Sequence, residues 1–309
     1  MTELDGWGVI MNPKAGKRSS DKSLSVKDEL VRAGLNGEFV FTERAGHAAE
    51  LAADFIRKGV RKLLVVGGDG SFSEVVSGVC MNDGGAGDVL LALLPLGTGN
   101  DWCRYWKIKK SVSWCVDIIK RGKTERIDVG RYEECGADGC VTRYFVNSLG
   151  LGFDARTVRY ADLVRKKFSG KAWAYYIAVF ASFLMNKSVH SKLWINGSLV
   201  LDDKIYTVSV GNGPFTGGGI KQTPGADPTD GKFEVMVMVN PSWWQRCKAL
   251  AGLACGRLQA CGFVRYFEAQ SVAIDTYGLE AERDGIYSDE VKNISVSIEN
   301  QFAFFSDTK

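Results

Sequence analysis

The sequence predicts a doubly wound α/β domain followed by a mostly β domain with helical insertions. Three observations carry that expectation. Up to about residue 125, short apolar runs alternate with segments of helical periodicity, the pattern of a parallel sheet with crossover helices. Beyond it, runs such as Lys204-Ile205-Tyr206-Thr207-Val208-Ser209-Val210 alternate polar with apolar residues, as half-buried antiparallel strands do. Loops rich in glycine and polar groups follow three of the early strands, at 12–18, 67–71 and 95–101. In an open α/β sheet, ligands bind beyond those carboxyl ends.

Taken in order, residues 8–12 read as a buried first strand that Pro13 breaks, followed by a loop carrying Lys14, Gly16, Lys17 and Arg18. Such a loop suits a phosphate, and a solvated basic loop would look the same. A helix near 21–33, a strand at 38–42 ending in Thr42, and a helix at 47–58 with Leu51, Phe55 and Ile56 on one face come next. They are followed by a strand at 62–66, a helix at 71–81 and a strand from Val89 to Leu94. In the second half, strands are expected at 124–133 and 142–148, and helices near 155–166 and 171–186. Further strands are expected at 190–196, 204–212, 232–239, 263–267, 271–276, 291–298 and 301–306, with a helix at 242–258. Asn196-Gly197 is a hairpin turn signal. No repeat or low-complexity linker marks the domain boundary, placed near 128.

The stretch Val65 to Val75 draws the most attention. An apolar strand ends in Gly67-Gly68-Asp69-Gly70, and Ser71 with Glu74 three residues on has capping-box spacing. Strand, glycine turn and helix N-terminus form an anion site. Asp69 repels a phosphate unless it shapes the turn or a divalent cation sits between the two charges. A magnesium nucleotide satisfies both features; an ordinary capped turn would also carry these residues. The loop Leu94-Pro95-Leu96-Gly97-Thr98-Gly99-Asn100-Asp101 adds a second glycine-polar turn on the same sheet edge, with Asn100 or Asp101 also suited to cap a helix. A third loop holds three of the six prolines, Pro214, Pro224 and Pro228, around Gly217-Gly218-Gly219, and closes at Asp230-Gly231. A stiff loop of that length inside a β domain usually has a function.

Composition excludes several classes. A formal charge of +3 is too small to argue for nucleic acid, so none is expected as a partner. With two histidines, His47 and His190, and eight cysteines in no zinc-type pairing, a histidine metal site or Cys/His nucleophile has little material. Asp5 and Gly6 interrupt any signal-peptide pattern, so the cysteines are expected to stay reduced in a cytoplasm. The longest uncharged apolar run, Ala172 to Asn186, is 15 residues, short of the roughly 20 that span a bilayer as a helix.

Together these motifs resemble the diacylglycerol kinase catalytic-domain family, which includes sphingosine and ceramide kinases and soluble bacterial lipid kinases. The matching pieces are Asn12-Pro13 with Gly16, Gly67 to Ser71, and Leu94 to Asp101. They continue with Asn147-Ser148-Leu149-Gly150-Leu151-Gly152-Phe153-Asp154-Ala155, Gly211-Asn212 with Gly217 to Gly219, and Asp230-Gly231. The resemblance implies an ATP-binding α/β domain at 1–128 and a β-sandwich lipid-substrate domain at 129–309, with an active site in the cleft between them. It also implies that the final residues pack back on the first domain. By the same resemblance Asn12, Thr42, Gly67, Gly68, Asp69, Gly70, Ser71, Gly97, Thr98 and Asn100 bind ATP, and Asp69 and Asp101 work near magnesium. A structural magnesium is implied at the Asp230 side chain, with main-chain oxygens near Asp227 and Lys232; Pro228 and Thr229 depart from the usual residues there.

One departure touches the chemistry. The family's catalytic base is the glutamate of an Asp-Gly-Glu triplet, and this chain reads Asp284-Gly285-Ile286. The acceptor hydroxyl must lose a proton as it attacks, so Asp284 is taken as the catalytic candidate, with Glu282 and Glu290 as alternatives. Loss of catalysis, leaving a binding protein, is the other reading. An NAD kinase is favoured only by Gly-Gly-Asp-Gly. The expected partner is a membrane lipid, diacylglycerol or sphingoid in type, met by a cytoplasmic protein that associates peripherally with the bilayer; a homodimer is left open. Arg156, Arg159, Arg165, Lys166, Lys167 and Lys171 lead into an apolar run with Trp173, Tyr175, Tyr176, Phe180 and Phe183, which suits an anionic membrane surface or the solvated face of a core helix. Trp243-Trp244 is a second membrane candidate.

Overall fold

The computed structural model describes residues 3–15, 20–82, 88–97, 99–136, 139–167, 179–180, 182–183 and 186–306. Gly16, Lys17, Arg18, Thr98, Lys171, Trp173, Tyr175 and Tyr176 lie outside the described residues, as do the side chains of Arg165, Lys166, Lys167 and Glu290. The chain divides into two compact units. The first comprises Met1–Val129, Gly217–Gly219 and Glu299–Lys309; the second comprises Gly130–Thr216 and Ile220–Ile298.

In the first unit, β1 (Trp7–Met11), β2 (Gly37–Phe41), β3 (Lys62–Gly67) and β4 (Leu90–Pro95) form a parallel sheet in the order β2-β1-β3-β4. Ala303 and Phe304 of the last strand, β15 (Ile286–Phe305), extend it in parallel beside Leu90 and Leu91. The helices are α1 (Ser20–Arg32), α2 (His47–Arg57), α3 (Asp69–Cys80), α4 (Asp101–Tyr105) and α5 (Val112–Arg121). Strands β1, β3 and β4 are buried almost throughout, which is why they read as continuous apolar runs. On one face Trp7, Val9, Leu64, Val66 and Leu94 pack with Leu30, Ile119 and Phe305. Elsewhere in the unit Phe72, Trp102, Trp106 and Phe304 stack edge-on or tilted, centroids 5.5–5.9 Å apart. Helix α4 follows Asn100, one of the two caps expected there; α5 was not anticipated, although its caps are legible. The Ser111 hydroxyl accepts from the Trp114 amide, and Gly122 ends the helix in the left-handed region at φ 68°.

The second unit is antiparallel. Its strands are β5 (Thr124–Gly136, from Gly130 onward), β6 (Gly139–Phe145), β7 (Ser148–Gly152), β8 (Val189–Ile195), β9 (Ser198–Gly211), β12 (Phe233–Val239), β13 (Val264–Ala269), β14 (Ser271–Arg283) and the first part of β15. They pair in the order β13-β12-β9-β7-β14-β15, with β8 joining β9 and β14, and β5 joining β6. Short β10 (Phe215–Thr216) and β11 (Ile220–Lys221) pair with each other. Phe145, Leu149, Leu151, Leu193, Val208, Phe233, Ile274 and Val296 share one core. Helix α6 (Phe153–Lys167) follows β7, and α7 (Trp243–Ala254) follows β12. Asn196 and Gly197 take φ 50° and 80°, the turn their pairing predicted.

The fold class is as expected; several boundaries differ. The run 142–148 splits into β6 and β7 because the amides of Val146, Asn147 and Ser148 all donate to the Asp284 carboxylate. The strand expected at 271–276 continues to Arg283 through an irregularity between Asp275 and Leu279, where Gly278 has φ 100°. The runs 291–298 and 301–306 belong to one strand, β15. The expectation of reduced cysteines fails at one place: Cys135 faces Cys140 across the β5–β6 hairpin and the two form a disulfide. Among the described residues, no helix is long and apolar enough to cross a membrane.

Candidate active site

The first unit's site begins where β3 ends. Helix α3 starts at Asp69, with Gly68 as N-cap, rather than at Ser71. The expected Ser71–Glu74 capping box is absent. Ser71 instead accepts a hydrogen bond from Asn12 Nδ2 at 2.9 Å, tying the β1 loop to the glycine turn. The Glu74 carboxylate accepts the amides of Gly46 and Ala48, capping α2 from the neighbouring helix. Thr42 is buried at the end of β2, its amide donating to the Met11 carbonyl.

Backbone contact between two glycine loops explains much of their composition. The Leu96 and Gly97 amides both donate to the Gly67 carbonyl, at 2.6 and 3.3 Å. A Cβ on Gly97 would lie 2.7 Å from the Gly68 Cα and 2.7 Å from Asn100 Oδ1. A Cβ on Gly70 would meet nothing within 4 Å, so open space remains at the first turn of α3. Asn100 sits in the left-handed region (φ 50°, ψ 51°) as N-cap of α4, its Nδ2 donating to the Gly97 carbonyl at 2.7 Å. That carbonyl also accepts from Lys110 Nζ at 2.7 Å, a residue the sequence reading missed.

Asp69 and Asp101 come together here. Asp69 Oδ2 accepts the Asp101 amide at 2.8 Å, and Asp101 Oδ2 accepts the Gly218 amide at 2.7 Å. A Cβ on Gly99 would stand 3.6 Å from Asp69 Oδ2 and 3.9 Å from Asp101 Oδ2, so both carboxylates face a position kept clear by a glycine. Arg104 lies 3.6 Å from Asp101 Oδ1 and donates to the Gly218 carbonyl at 3.2 Å. Burial pushes the Asp101 carboxyl up, against the lowering effect of the Gly218 amide and Arg104. Asp101 Oδ1 is buried with no hydrogen-bond partner among the described residues. Two facing carboxylates with such an oxygen fit a magnesium ion held by one or two carboxylates together with substrate phosphates. Among the described residues no group of three His, Cys, Asp or Glu side chains could hold a metal without such help.

In the second unit, the motifs at 147–155 and 211–212 take part in a buried polar network. Asn147 Nδ2 donates to the Phe215 carbonyl, and Asn212 Nδ2 to the Val146 carbonyl. Asp284, at φ 46°, accepts three amides on its two oxygens, so it anchors the turn between β6 and β7. Two residues away, Glu282 Oε2 accepts the Gly285 amide at 2.9 Å. Glu282 and Asp154 flank Gly150: a Cβ there would stand 2.8 Å from Glu282 Oε1 and 2.9 Å from Asp154 Oδ2. Asp154 Oδ2 also accepts from Gln222 Nε2 at 2.7 Å. Burial, then the charge of Asp154, pushes the Glu282 carboxyl up to about 8. Burial pushes Asp154 up to about 7. The motif Gly-Phe-Asp-Ala contained Asp154, but nothing in its spacing revealed Glu282 as its neighbour.

The Asp227–Lys232 turn is held by local bonds. Asp227 Oδ1 accepts from the Thr229 amide and hydroxyl, and Asp230 Oδ1 from the Lys232 amide at 2.9 Å. Of the basic segment, Arg156 and Arg159 both pair with the buried carboxylate of Glu280. An open, mostly apolar cavity of about 780 Å³ is lined by Trp194, Val272, Ile274, Ile294 and Val296. It lies some eight residues, roughly 26 Å, along β14 from Glu282.

The chain as a whole is similar to known proteins. Residues 6–132 match the model of the diacylglycerol kinase catalytic domain. Residues 147–296 match that of the YegS C-terminal NAD kinase beta sandwich-like domain. A diacylglycerol kinase of Mycobacterium tuberculosis is 27% identical over 291 residues, covering 93% of this chain and 90% of that one. The crystal structure of a diacylglycerol kinase from Bacillus anthracis superposes with TM-score 0.68 at 20% identity, covering 97% of this chain and 96% of that one. Yeast NADH kinase complexed with NADH shares the fold more distantly, with TM-score 0.57, 12% identity and coverage of 97% and 83%. With both halves matched in order, the chain belongs to the diacylglycerol kinase catalytic-domain family, a family of lipid kinases.

Proposed function

We propose that the protein transfers the γ-phosphoryl group of ATP to the hydroxyl of a membrane lipid, diacylglycerol or sphingoid in type, in a magnesium-dependent reaction. The observation that carries this reading is the Asp69–Asp101 pair set on two interlocked glycine loops. ATP phosphates would lie at the first turn of α3, over the open face of Gly70, with Gly67, Gly68, Ser71, Gly97 and Asn100 around them and Asn12 and Thr42 at the edge. Magnesium there would be held by Asp69 and Asp101, neutralising charge that develops on the transferred group. A structural magnesium at Asp227, Asp230 and Lys232 is part of the same reading.

The proton of the acceptor hydroxyl goes, on this reading, to Glu282. Asp284, the first candidate, has both oxygens engaged by three amides. Glu282 has an oxygen turned to Asp154 and a carboxyl raised toward neutral pH, the tuning a general base requires. The protein would work in the cytoplasm at the membrane surface. A second reading, a catalytically silent binding protein, is favoured by Ile286 in place of the family glutamate.

The test is purified protein with labelled ATP, magnesium and a panel of lipids in mixed micelles, with NAD included. Labelled lipid is the expected result. ATP binding without transfer to any acceptor would establish the silent reading, and labelled NADP would make the protein a soluble-substrate kinase.

A further inference from the structure

Helix α7 begins with two tryptophans that the fold leaves in solvent. Trp243 is 54% exposed and Trp244 78% exposed. Their rings meet edge to face at 4.9 Å. The helix beneath them is firmly set. Ser242 and Gln245 form a reciprocal capping box, and Ala249, Leu250 and Leu253 pack against Phe153, Phe183, Tyr206, Met236 and Met238. Arg246 donates to the Pro241 and Asn186 carbonyls and lies over the Tyr206 ring at 4.7 Å. The two indoles are therefore held outward on a rigid base and are not a frayed end.

Along the chain on either side of them, charge has one sign. From residue 235 to 267 the chain contains Arg246, Lys248, Arg257 and Arg265 and no acid. The Asn240 amide donates to the Lys204 carbonyl, bringing the middle of β9 alongside. On that element Asp202 is engaged by His190 at 3.6 Å and Lys192 at 3.9 Å, and Asp203 accepts its neighbour's amide.

We infer that Trp243 and Trp244 are an interfacial anchor that seats the second unit on an anionic lipid bilayer. Indoles favour the boundary between headgroups and acyl chains, where the ring is buried and the N–H stays wet. Neighbouring cations are drawn to anionic headgroups. A protein partner fits less well. Two tryptophans offer at most about 500 Å², flanked by polar Ser242 and Gln245, whereas a stable protein interface buries roughly 1,200 Å² or more in total. The inference rests on the proposed membrane-borne acceptor and adds the surface by which the protein reaches it.

The experiment is flotation with vesicles of phosphatidylcholine alone and of phosphatidylcholine with phosphatidylglycerol, using wild type, W243A/W244A, W243F/W244F and K248E/R257E. Circular dichroism checks that each is folded. Wild type is expected to bind the anionic vesicles at least tenfold more tightly than the neutral ones, and W243A/W244A to lose at least tenfold. W243F/W244F should retain part of the binding, and K248E/R257E should lose the preference for anionic lipid. Brominated lipid should quench wild-type fluorescence more than that of W243F/W244F. Turnover on a short-chain acceptor below its micellar concentration is measured beside this. Absent turnover with vesicle binding intact would overturn the kinase reading alone. Equal binding by wild type and W243A/W244A, no wild-type binding to either vesicle, or a dimer that W243A/W244A dissociates would each overturn the anchor.

Discussion

The Asp101 carboxylate accepts the amide of Gly218 at 2.7 Å, across 117 residues of sequence. The bond places a glycine from the proline-rich loop directly on the acid that the Gly-Thr-Gly-Asn-Asp turn presents. Asp101 Oδ2 is held this way, while Oδ1 accepts no hydrogen bond and has the Arg104 guanidinium 3.6 Å away, so one oxygen is fixed and the other is held only by an ion pair.

Replacing Asp101 with Asn therefore keeps the Gly218 contact through the amide oxygen while removing the charge. Turnover is expected to fall by about 10²–10³, with the magnesium concentration for half-maximal rate rising. The Tm should change little. Asp69→Asn should behave alike, and the double variant should lose little more than either single one, because the two acids act on one ion. Steady-state kinetics over a magnesium titration checks this; fully additive losses would mean separate roles.

Two glycines of the same site should respond in opposite ways. Gly70→Ala adds a methyl where nothing lies within 4 Å and removes a glycine from a helix, so the protein should gain about 0.5–1 kcal/mol in stability. ATP affinity should nevertheless fall, because the methyl occupies the proposed phosphate space. Gly97→Ala drives a Cβ against the Gly68 backbone and should lower both stability and nucleotide binding. Thermal unfolding with and without ATP separates the two outcomes.

These glycines also show what the sequence makes legible. Glycine loops after buried strands are readable because their conformational need is local, and Asp69 stood out as a charge out of place beside a phosphate turn. What sequence could not convey was which residues pair at a distance. Ser71 and Glu74 have capping-box spacing, yet each bonds to another element, Asn12 in one case and the start of α2 in the other. Asp284 was read as a base from its place in a triplet. Its work as acceptor for three amides of the 146–148 turn depends on a strand pairing that no local pattern encodes. Glu282 is legible as an alternative base near the triplet, but the β7 pairing that puts Gly150 and Asp154 beside it is not.

The Cys135–Cys140 disulfide closes a hairpin that the β5–β6 ladder already holds in register. A loop this short removes little entropy from the unfolded chain. The Cys135→Ser/Cys140→Ser variant should thus lose no more than about 1–2 kcal/mol and keep full activity. Alkylation followed by mass spectrometry, before and after reductant, reports whether the pair is oxidised. A larger stability loss would mean the ladder alone does not set the hairpin.

The Glu282–Asp154 pair leads to the prediction that joins stability to chemistry. Both carboxyls have folded values raised by burial, to about 8 and about 7, above ordinary values of 4.5 and 3.8. Between about pH 4 and pH 8 the folded state holds more protons than the unfolded one, so the pair's contribution to stability falls as pH rises through that window. Glu282→Gln keeps an acceptor for the Gly285 amide without the charge. Its stability relative to wild type should therefore climb with pH, by roughly 2–4 kcal/mol by pH 9. Catalysis should move the other way. Wild-type kcat/KM should rise with pH toward about 8 as Glu282 ionises, while Glu282→Gln loses that rise and about 10²–10⁴ in rate. Asp284→Asn should instead lower Tm, because its new NH2 group faces an amide donor, and keep the pH dependence. Denaturant melts and pH–rate profiles on the three proteins decide it: a Glu282→Gln enzyme with the wild-type profile would remove Glu282 as the base.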